Sequence, residues 1–218
     1  MGSFPVAMLL KSLPELGLVF LAALILILDL TWKKRAPQAL PWVTAGGLGL
    51  TLVLGLIFAM PADQPELIWG GLLKVDAAGF VFRLIFLTAA ALTALLSVET
   101  QRTQGQGEYL ALLLTSTFGM NLMASAADVL MLYLAIEITA IPLFVLAAFQ
   151  FKQQKSDEAG LKYFLFGAMT STVLVFAFSL LYGISGQTSY SGIAAALKPG
   201  ALPLGMAVGV FALALVGF

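Results

Sequence analysis

Long runs of apolar residues separated by short polar stretches dominate this sequence. They occupy residues 13–32, 39–60, 77–98, 109–126, 128–151, 160–184 and 202–218. An α-helix needs about 20 apolar residues to cross the roughly 30 Å hydrocarbon core of a bilayer. Because lipid offers no hydrogen-bond partners to an exposed backbone, such segments are expected to be helical. The pattern predicts an all-α polytopic membrane protein with seven transmembrane helices.

One boundary between these helices has no polar loop. Residues 109–151 as a single helix would be about 65 Å long, which is too long for a bilayer. The stretch MASAAD at 123–128 contains small residues that permit a tight turn, and Asp128 is a good N-cap. We therefore predict that one helix ends here and the next begins at Asp128. Further along, residues 191–197 are predicted to form one or two amphipathic turns on the membrane surface.

Composition excludes several functions. The 11 basic side chains balance the 11 acidic ones, so there is no basic surface for nucleic acid. The chain contains no cysteine and no histidine, which removes thiolate and imidazole ligands for zinc, haem or iron–sulfur clusters. We therefore expect no metal and no redox cofactor in this chain, with the lipid bilayer as its surroundings.

The distribution of positive charge predicts an orientation. The first apolar run ends at a KKR cluster, residues 33–35, rather than at a small-residue cleavage site, so it is predicted to be a retained helix. Positive loops remain in the cytoplasm, which places the N-terminus on the periplasmic side. The other loops predicted to be cytoplasmic carry Arg102, Lys152 and Lys155, while the opposite side carries only Lys11, Lys74 and Lys198.

Charged residues inside the predicted helices are candidates for function, because an ionisable side chain in lipid is costly. Three were identified at some depth: Arg83, Glu137 and Lys162. Arg83 lies seven residues past Asp76, near enough to the helix start for its long side chain to extend outward, and this favours a structural role. Helix-end positions explain the remaining acids, Asp29, Asp128 and Glu158.

Glu137 has no such explanation. It lies nine residues past Asp128, about 13–14 Å into the membrane. Pro142 cannot donate a hydrogen bond to the carbonyl of Ile138, which leaves an acceptor for water beside Glu137. Tyr133, one turn earlier on the same face, could add a hydroxyl to this pocket. The pattern favours a proton or ion path, and the alternative is a neutral or paired glutamate that only joins helices.

Lys162 lies about 8 Å into the next predicted helix. A buried lysine between packed helices shifts its pKa readily and can pass on a proton. The alternative is a local pair with Glu158 one turn earlier. In a hairpin of these two helices Glu137 and Lys162 would be offset by about 12 Å along the membrane normal, so water or a third group must connect them.

The block EYLALLLTSTFGMNLMASAADVLMLYLAIEITAIPLFVLAAFQ, followed by DEAGLKYFLFGAMTSTVLVFAFSLLYGISG, resembles the antiporter-like membrane subunits of respiratory complex I. The resemblance covers residues 108–186 strongly. The LYLAIE and GLKYF contexts match the glutamate and lysine that carry protons in that family, and they identify Glu137 and Lys162 here. The resemblance implies a proton-translocating subunit of NADH:quinone oxidoreductase in a bacterial inner membrane. Partner membrane subunits are implied, with flavin, iron–sulfur clusters and quinone held by partners.

Three other functions remain open at this point. Multi-subunit sodium/proton antiporters share the glutamate and lysine pattern, and photosynthetic complex I contains a corresponding subunit. A purely structural membrane subunit is the third. The family has about fourteen helices around two inverted repeats, so the resemblance implies a three-helix segment at 1–107 and an incomplete repeat at 108–218. It also leads us to expect a continuation beyond Phe218, with a lysine within about three residues and roughly 250 residues after it.

Overall fold

A computed structural model describes residues 6–32, 39–62, 64–98, 105–150, 153–197 and 204–218. The KKR cluster at 33–35 lies outside these residues, as do Arg102, Lys152 and Lys198, which contributed to the predicted orientation. The described residues form nine α-helices and one short β-hairpin. The helices are α1 (Val6–Lys11), α2 (Leu13–Trp32), α3 (Ala39–Phe58), α4 (Ala77–Leu96), α5 (Gln106–Ser125), α6 (Val129–Ala147), α7 (Gln154–Ser185), α8 (Tyr190–Ala196) and α9 (Leu204–Gly217).

Each of the seven apolar runs contains a helix, but only part of the prediction of seven transmembrane helices is supported. Within the described residues, α2, α3, α4, α6 and α7 are long and apolar enough to cross a membrane. Helix α5 has 20 residues but carries Glu108, Asn121 and several hydroxyl side chains, so it is less apolar. Helix α9 has 14 residues. Five candidate spans are therefore shown, and a crossing by α5 and α9 stays a prediction.

The predicted break between α5 and α6 is confirmed. Helix α5 ends at Ser125, and Asp128 caps α6 by accepting a 2.8 Å hydrogen bond from the Leu130 N–H through Oδ1. This cap satisfies one of the free N–H groups at the helix start and fixes the position of every later residue on α6. The depth of Glu137 therefore follows from Asp128.

The prediction of an entirely helical chain missed a small sheet at one end of the bundle. Strands β1 (Glu66–Ile68) and β2 (Leu73–Val75) form an antiparallel hairpin. Its turn holds Trp69, Gly70 and Gly71 at φ angles of 53°, 69° and 90°, a region that glycine adopts at no steric cost. Three-residue strands are too short to show an alternating pattern in the sequence.

This sheet extends across two further connections. Leu73 forms a bridge with Ala126 in the α5–α6 turn, and Asp128 forms one with Ser189 before α8. The Trp69 indole N–H donates a 2.8 Å hydrogen bond to Ser12 Oγ between α1 and α2. The hairpin therefore contacts the α1–α2 connection and the α5–α6 turn, and this turn contacts the segment before α8. We call this end of the bundle the hairpin end.

Three packed clusters form the interior of the described residues, and the smallest lies at the hairpin end around Ile68, Leu73 and Leu122. The largest one lies between α2, α3, α4 and α5 and includes Leu18, Ile25, Leu48, Leu87 and Leu114, each at most 1% exposed. The second joins α6, α7, α8 and α9. Helix α5 lies between the largest and the second cluster, and it contacts α2, α4 and α6. Because it is covered on several sides, α5 can carry polar residues without exposing them to lipid.

Helix α7 is longer than the sequence predicted. It begins at Gln154 rather than near residue 160, and its 32 residues span about 48 Å. Its polar first turns were predicted to be a loop. The helix ends at Gly186, where a φ of 62° stops it, and the predicted amphipathic turns follow as α8.

Candidate functional site

Glu137 lies on the face of α6 that packs against α7. Its side chain is half-buried, and its carboxylate accepts a hydrogen bond from the hydroxyl of Ser171 on α7. Sequence reasoning did not identify Ser171 as a partner of Glu137. The only available signal was a hydroxyl residue on the face of α7 that contacts α6.

Tyr133 reaches the same site from one turn earlier on α6. Its hydroxyl lies 3.1 Å from Ser171 Oγ, and either oxygen can act as donor. The predicted contribution of Tyr133 therefore reaches Glu137 through Ser171. Tyr133, Ser171 and Glu137 form one continuous chain of hydroxyl and carboxyl groups between α6 and α7.

A cavity of about 570 Å³ surrounds this chain. Tyr133, Glu137, Thr170 and Ser171 supply polar groups to its wall, while the apolar part includes Ile136, Phe144, Phe164, Leu174 and Phe218. The space beside Glu137 is therefore large enough and polar enough to hold water.

Pro142 lies on another face of α6. It is buried together with Ala135 and Thr139, on the face that packs against α5. A Cβ on Gly119 of α5 would lie 2.4 Å from Thr139 Oγ1, so the two helices approach closely because this residue is glycine. The proline side chain does not line the cavity, and its effect through the Ile138 carbonyl stays a prediction.

Lys162 is separated from Glu137. Its ammonium group pairs with Glu158 one turn earlier on α7, and both side chains are exposed, at 65% and 60%. This is the local pairing that the sequence left open as an alternative. Ser171, which contacts Glu137, lies nine residues or about 13 Å further along α7, in agreement with the predicted offset. A direct salt bridge between Glu137 and Lys162 is therefore absent.

Arg83 differs from the sequence-based expectation. Instead of extending outward, it is 4% exposed, and its Nη2 lies 2.8 Å from Glu15 Oε1 on α2. Sequence reasoning overlooked Glu15, which lies in the first turn of α2 where an acid favours the helix dipole. The ion pair is non-local, so nothing in the surroundings of either residue in the sequence indicated it. The interpretation of Arg83 as a structural residue is retained, and Glu15 is its buried partner.

The two acids have different electrostatic surroundings. Glu15 faces a guanidinium group, whereas the hydrogen-bond partner of Glu137 is a neutral hydroxyl. A neutral partner remains compatible with a protonated or an ionised carboxyl group, because a hydroxyl can donate or accept. The Glu137 site can therefore hold or release a proton without leaving an opposite charge unpaired.

The family comparison agrees with this arrangement. Residues 126–218 match the family model described as "NADH:quinone oxidoreductase/Mrp antiporter, TM". This range includes α6, α7 and the chain of hydroxyl and carboxyl groups that Tyr133, Ser171 and Glu137 form between them. This part of the chain thus resembles the antiporter-like membrane proteins of that family, and the resemblance predicted from the sequence is confirmed.

Individual relatives make the resemblance more specific. NADH-quinone oxidoreductase subunit N of Desulfovibrio desulfuricans is 38% identical over 184 residues, which cover 83% of this chain and 36% of that protein. A chain in the structure of respiratory complex I from Thermus thermophilus is 28% identical, with a TM-score of 0.72 over 94% of this chain and 42% of that chain. This sequence is therefore similar to a part of subunit N.

A second solved structure shares the fold alone. In the Mrp complex from Dietzia sp. DQ12-45-1b, a chain matches with a TM-score of 0.77 at 22% identity, over 97% of this chain and 23% of that one. In these three comparisons this chain spans well under half of the other protein's length. The comparisons thus show the fold of this part and support its resemblance to antiporter-like membrane subunits.

Proposed function

We propose that this chain is a proton-translocating membrane subunit of NADH:quinone oxidoreductase, and that it transfers protons through buried glutamate and lysine side chains. The observation that carries this proposal is the position of Glu137 in a cavity, hydrogen-bonded to Ser171 and linked through it to Tyr133. The names of the relatives support the choice of complex. Flavin, iron–sulfur clusters and quinone belong to partner subunits in this proposal, and quinone reduction there drives the transfer.

The chemistry at the site is a proton relay. Ser171 donates its hydrogen bond to an ionised Glu137, and after protonation Glu137 can donate to water or to Ser171. An approaching positive charge favours the ionised carboxyl group, while desolvation favours the neutral one. Movement of a lysine towards or away from the cavity can therefore decide whether Glu137 holds its proton. Lys162 is proposed as a second carrier, connected to Glu137 by water.

Replacement of Glu137 by Gln tests the proposal, because it keeps the shape of the side chain and removes the charge. In the assembled complex in native membrane vesicles, E137Q should lose most of the proton pumping per NADH oxidised while assembly is retained. Glu108, which lies in the first turn of α5, provides the control E108Q. Pumping that is unchanged in E137Q would contradict the proposed role.

Lys162 and its neighbour provide a second, matched test. Both side chains are exposed, so their ion pair contributes at most about 0.5 kcal/mol to stability. If Lys162 carries protons, K162Q should reduce pumping whereas E158Q should not. Equal effects of the two substitutions would indicate that only the local pair matters.

The proposed orientation places the N-terminus and the hairpin end on the periplasmic side of a bacterial inner membrane. Gln154 and Gln187 are exposed near opposite ends of α7 and suit labelling in a cysteine-free chain. An impermeant thiol reagent should label Gln187→Cys from the periplasm and Gln154→Cys from the cytoplasm only. Labelling of both from one side would contradict this topology.

The division of the chain into a three-helix segment at residues 1–107 and an incomplete repeat at residues 108–218 is part of the same proposal.

A sodium/proton antiporter subunit is the second candidate, because the structure from Dietzia shares this fold. Sodium-dependent proton transport without NADH or quinone would favour it. The corresponding subunit of photosynthetic complex I is a third possibility, and activity with ferredoxin but not NADH as electron donor would distinguish that complex. Identification of the chains that purify with this one separates all three.

A further inference from the structure

A second polar cluster lies in the part of the bundle that the proposed proton path does not use. Glu15 on α2 and Arg83 on α4 form a buried ion pair at 2.8 Å, with side chains 6% and 4% exposed. Asn121 on α5 is completely buried. Each of these residues is within the first or last turns of its helix towards the hairpin end.

The register of the helices brings these three residues to one depth. A Cβ on Gly107 would lie 2.5 Å from Asp29, so these two residues meet where α2 and α5 cross. The two helices run in opposite directions, and Glu15 and Asn121 each lie fourteen residues from that contact, about 21 Å further towards the hairpin end. Glu15 is therefore level with Asn121.

Helix α4 gives the same depth for Arg83. A Cβ on Gly79 would lie 3.0 Å from the carbonyl oxygen of Ala124 on α5. Arg83 is one turn deeper than Gly79 on the same face of α4, and one turn back from Ala124 on α5 falls between Met120 and Asn121. Three neighbouring helices thus contribute Glu15, Arg83 and Asn121 at a common level.

Most polar atoms of this cluster have no hydrogen-bond partner among the described residues. They are both carboxylate oxygens of Glu15, Nε of Arg83 and both amide atoms of Asn121. The 2.8 Å contact brings the two charges together without the alignment of a hydrogen bond, so the Glu15 oxygens keep free acceptor positions. A buried polar group without a partner loses the hydrogen bonds that it made to water in the unfolded chain, so five such atoms at one level require an explanation.

The surroundings favour water as the missing partner. The cluster presents both donors and acceptors, which water can satisfy together, while the guanidinium charge disfavours a bound cation. An open cavity of about 560 Å³ lies at the same end of the bundle, and Asp76, Gly79 and Ala124 are among the residues that line it. Gly79 is one turn from Arg83 on α4, and Ala124 is one turn from Asn121 on α5, so the cavity comes within about one helical turn of the cluster. Burial raises the pKa of Asp76, but Lys74, the Gly79 N–H and the charge of Arg83 together lower it below its usual value. Asp76 thus lies within the electrostatic reach of Arg83.

We propose that Glu15, Arg83 and Asn121 bind a cluster of water molecules that exchanges with the solution at the hairpin end. This site is separate from the Glu137 cavity, since Glu137 faces α7 and the water site lies among α2, α4 and α5. The ion pair holds the charges in place, and Asn121 supplies a neutral donor and acceptor. The proposal does not depend on proton transfer by Glu137.

Thiol accessibility in the intact complex tests this proposal, because this chain contains no cysteine. Asn121→Cys places a thiol in the cluster, and Leu114→Cys is the matched control, also on α5, completely buried, and two turns deeper on the same face. A thiol needs water to ionise and react. A small charged thiosulfonate should therefore modify Cys at 121 roughly tenfold faster than Cys at 114, and only from the hairpin end. Equal rates would overturn the proposal.

A second measurement needs no substitution. Brief X-ray radiolysis produces hydroxyl radicals from bound water, and mass spectrometry then locates the oxidised side chains. Arg83 should be oxidised severalfold more than Leu87, its equally buried neighbour one turn deeper on α4, when measured rates are corrected for intrinsic reactivity. No excess at Arg83 would refute a water site even if the cysteine variants failed to assemble.

Discussion

Two acids lie within the helical bundle, and they differ in what compensates their charge. Glu137 lies between α6 and α7 beside a cavity, with the hydroxyls of Ser171 and Tyr133 as neighbours. Glu15 lies between α2 and α4, is buried, and pairs with Arg83. A neutral partner tolerates either charge state of a carboxyl group, whereas a guanidinium group favours the ionised one.

The surroundings of Glu137 are therefore suited to a change of its charge state, whereas those of Glu15 favour a charge that stays in place. Protonation of Glu15 would leave Arg83 charged and unpaired in the interior, which costs several kcal/mol. Protonation of Glu137 leaves only polar, neutral groups. We therefore expect the partner of an intramembrane acid, more than its depth, to decide whether the acid can act as a proton carrier.

The largest effect is expected when the pair of Glu15 and Arg83 is broken from one side. Arg83→Leu leaves Glu15 buried without its countercharge and should cost about 3–5 kcal/mol. The amount of assembled protein in the membrane should fall sharply, as measured by quantitative immunoblotting of the native complex. The double substitution Glu15→Leu with Arg83→Leu removes both charges and should restore most of the assembled protein. A double variant as poor as the single one would show that the two residues act independently.

A smaller change compares the two acids directly. Glu15→Gln and Glu137→Gln remove one negative charge each and keep similar shapes. Glu15→Gln should mainly reduce the thermal stability of the complex, with pumping per electron retained by the protein that assembles. Glu137→Gln should mainly reduce pumping per electron, with the thermal stability of the complex retained. The measurements are the melting temperature of the complex and the ratio of protons pumped to NADH oxidised. Loss of pumping in Glu15→Gln would contradict the proposed difference in role between Glu15 and Glu137.

The smallest effect is expected at the hydroxyl relay. Ser171→Ala removes one hydrogen bond to Glu137, worth about 1.5–3 kcal/mol when the acceptor is charged. Water in the cavity can replace it, so pumping should fall less than in Glu137→Gln. Ser171→Thr retains the hydroxyl and should behave like the native chain. If Ser171→Ala abolished pumping as completely as Glu137→Gln, Ser171 would be an obligatory relay that water cannot replace.

Helix positions and the Glu137 candidate could be predicted because each leaves a local signal. Seven apolar runs coincide with helices, Asp128 marks the start of α6, and Glu137 is the one acid far from any helix end. The number of helices that cross the membrane could not be predicted in the same way. Burial of the polar residues of α5 depends on neighbouring helices, and α9 has only 14 described residues. Local patterns thus predict elements better than their placement.

Partners between distant segments were not predictable in this way. Glu15 and Arg83 lie on different helices, and each resembles an ordinary helix-end residue in its own segment. Ser171 resembles the small residues around it, which pack against α6. The hairpin was missed because its strands have three residues each, and the first turns of α7 were missed because polarity suggested a loop. Tertiary contacts decided each of these cases.

The polar character of α5 has a consequence for biogenesis. A translocation channel releases a segment into lipid according to its hydrophobicity, and α5 alone is less favourable than the helices that surround it. Its Asn121 and its hydroxyl residues are buried only after α2, α4 and α6 have assembled around it. Membrane integration of α5 should therefore be a late, cooperative event, in which the turn at Ala126–Asp128 lets the more apolar α6 enter with it as a helical hairpin.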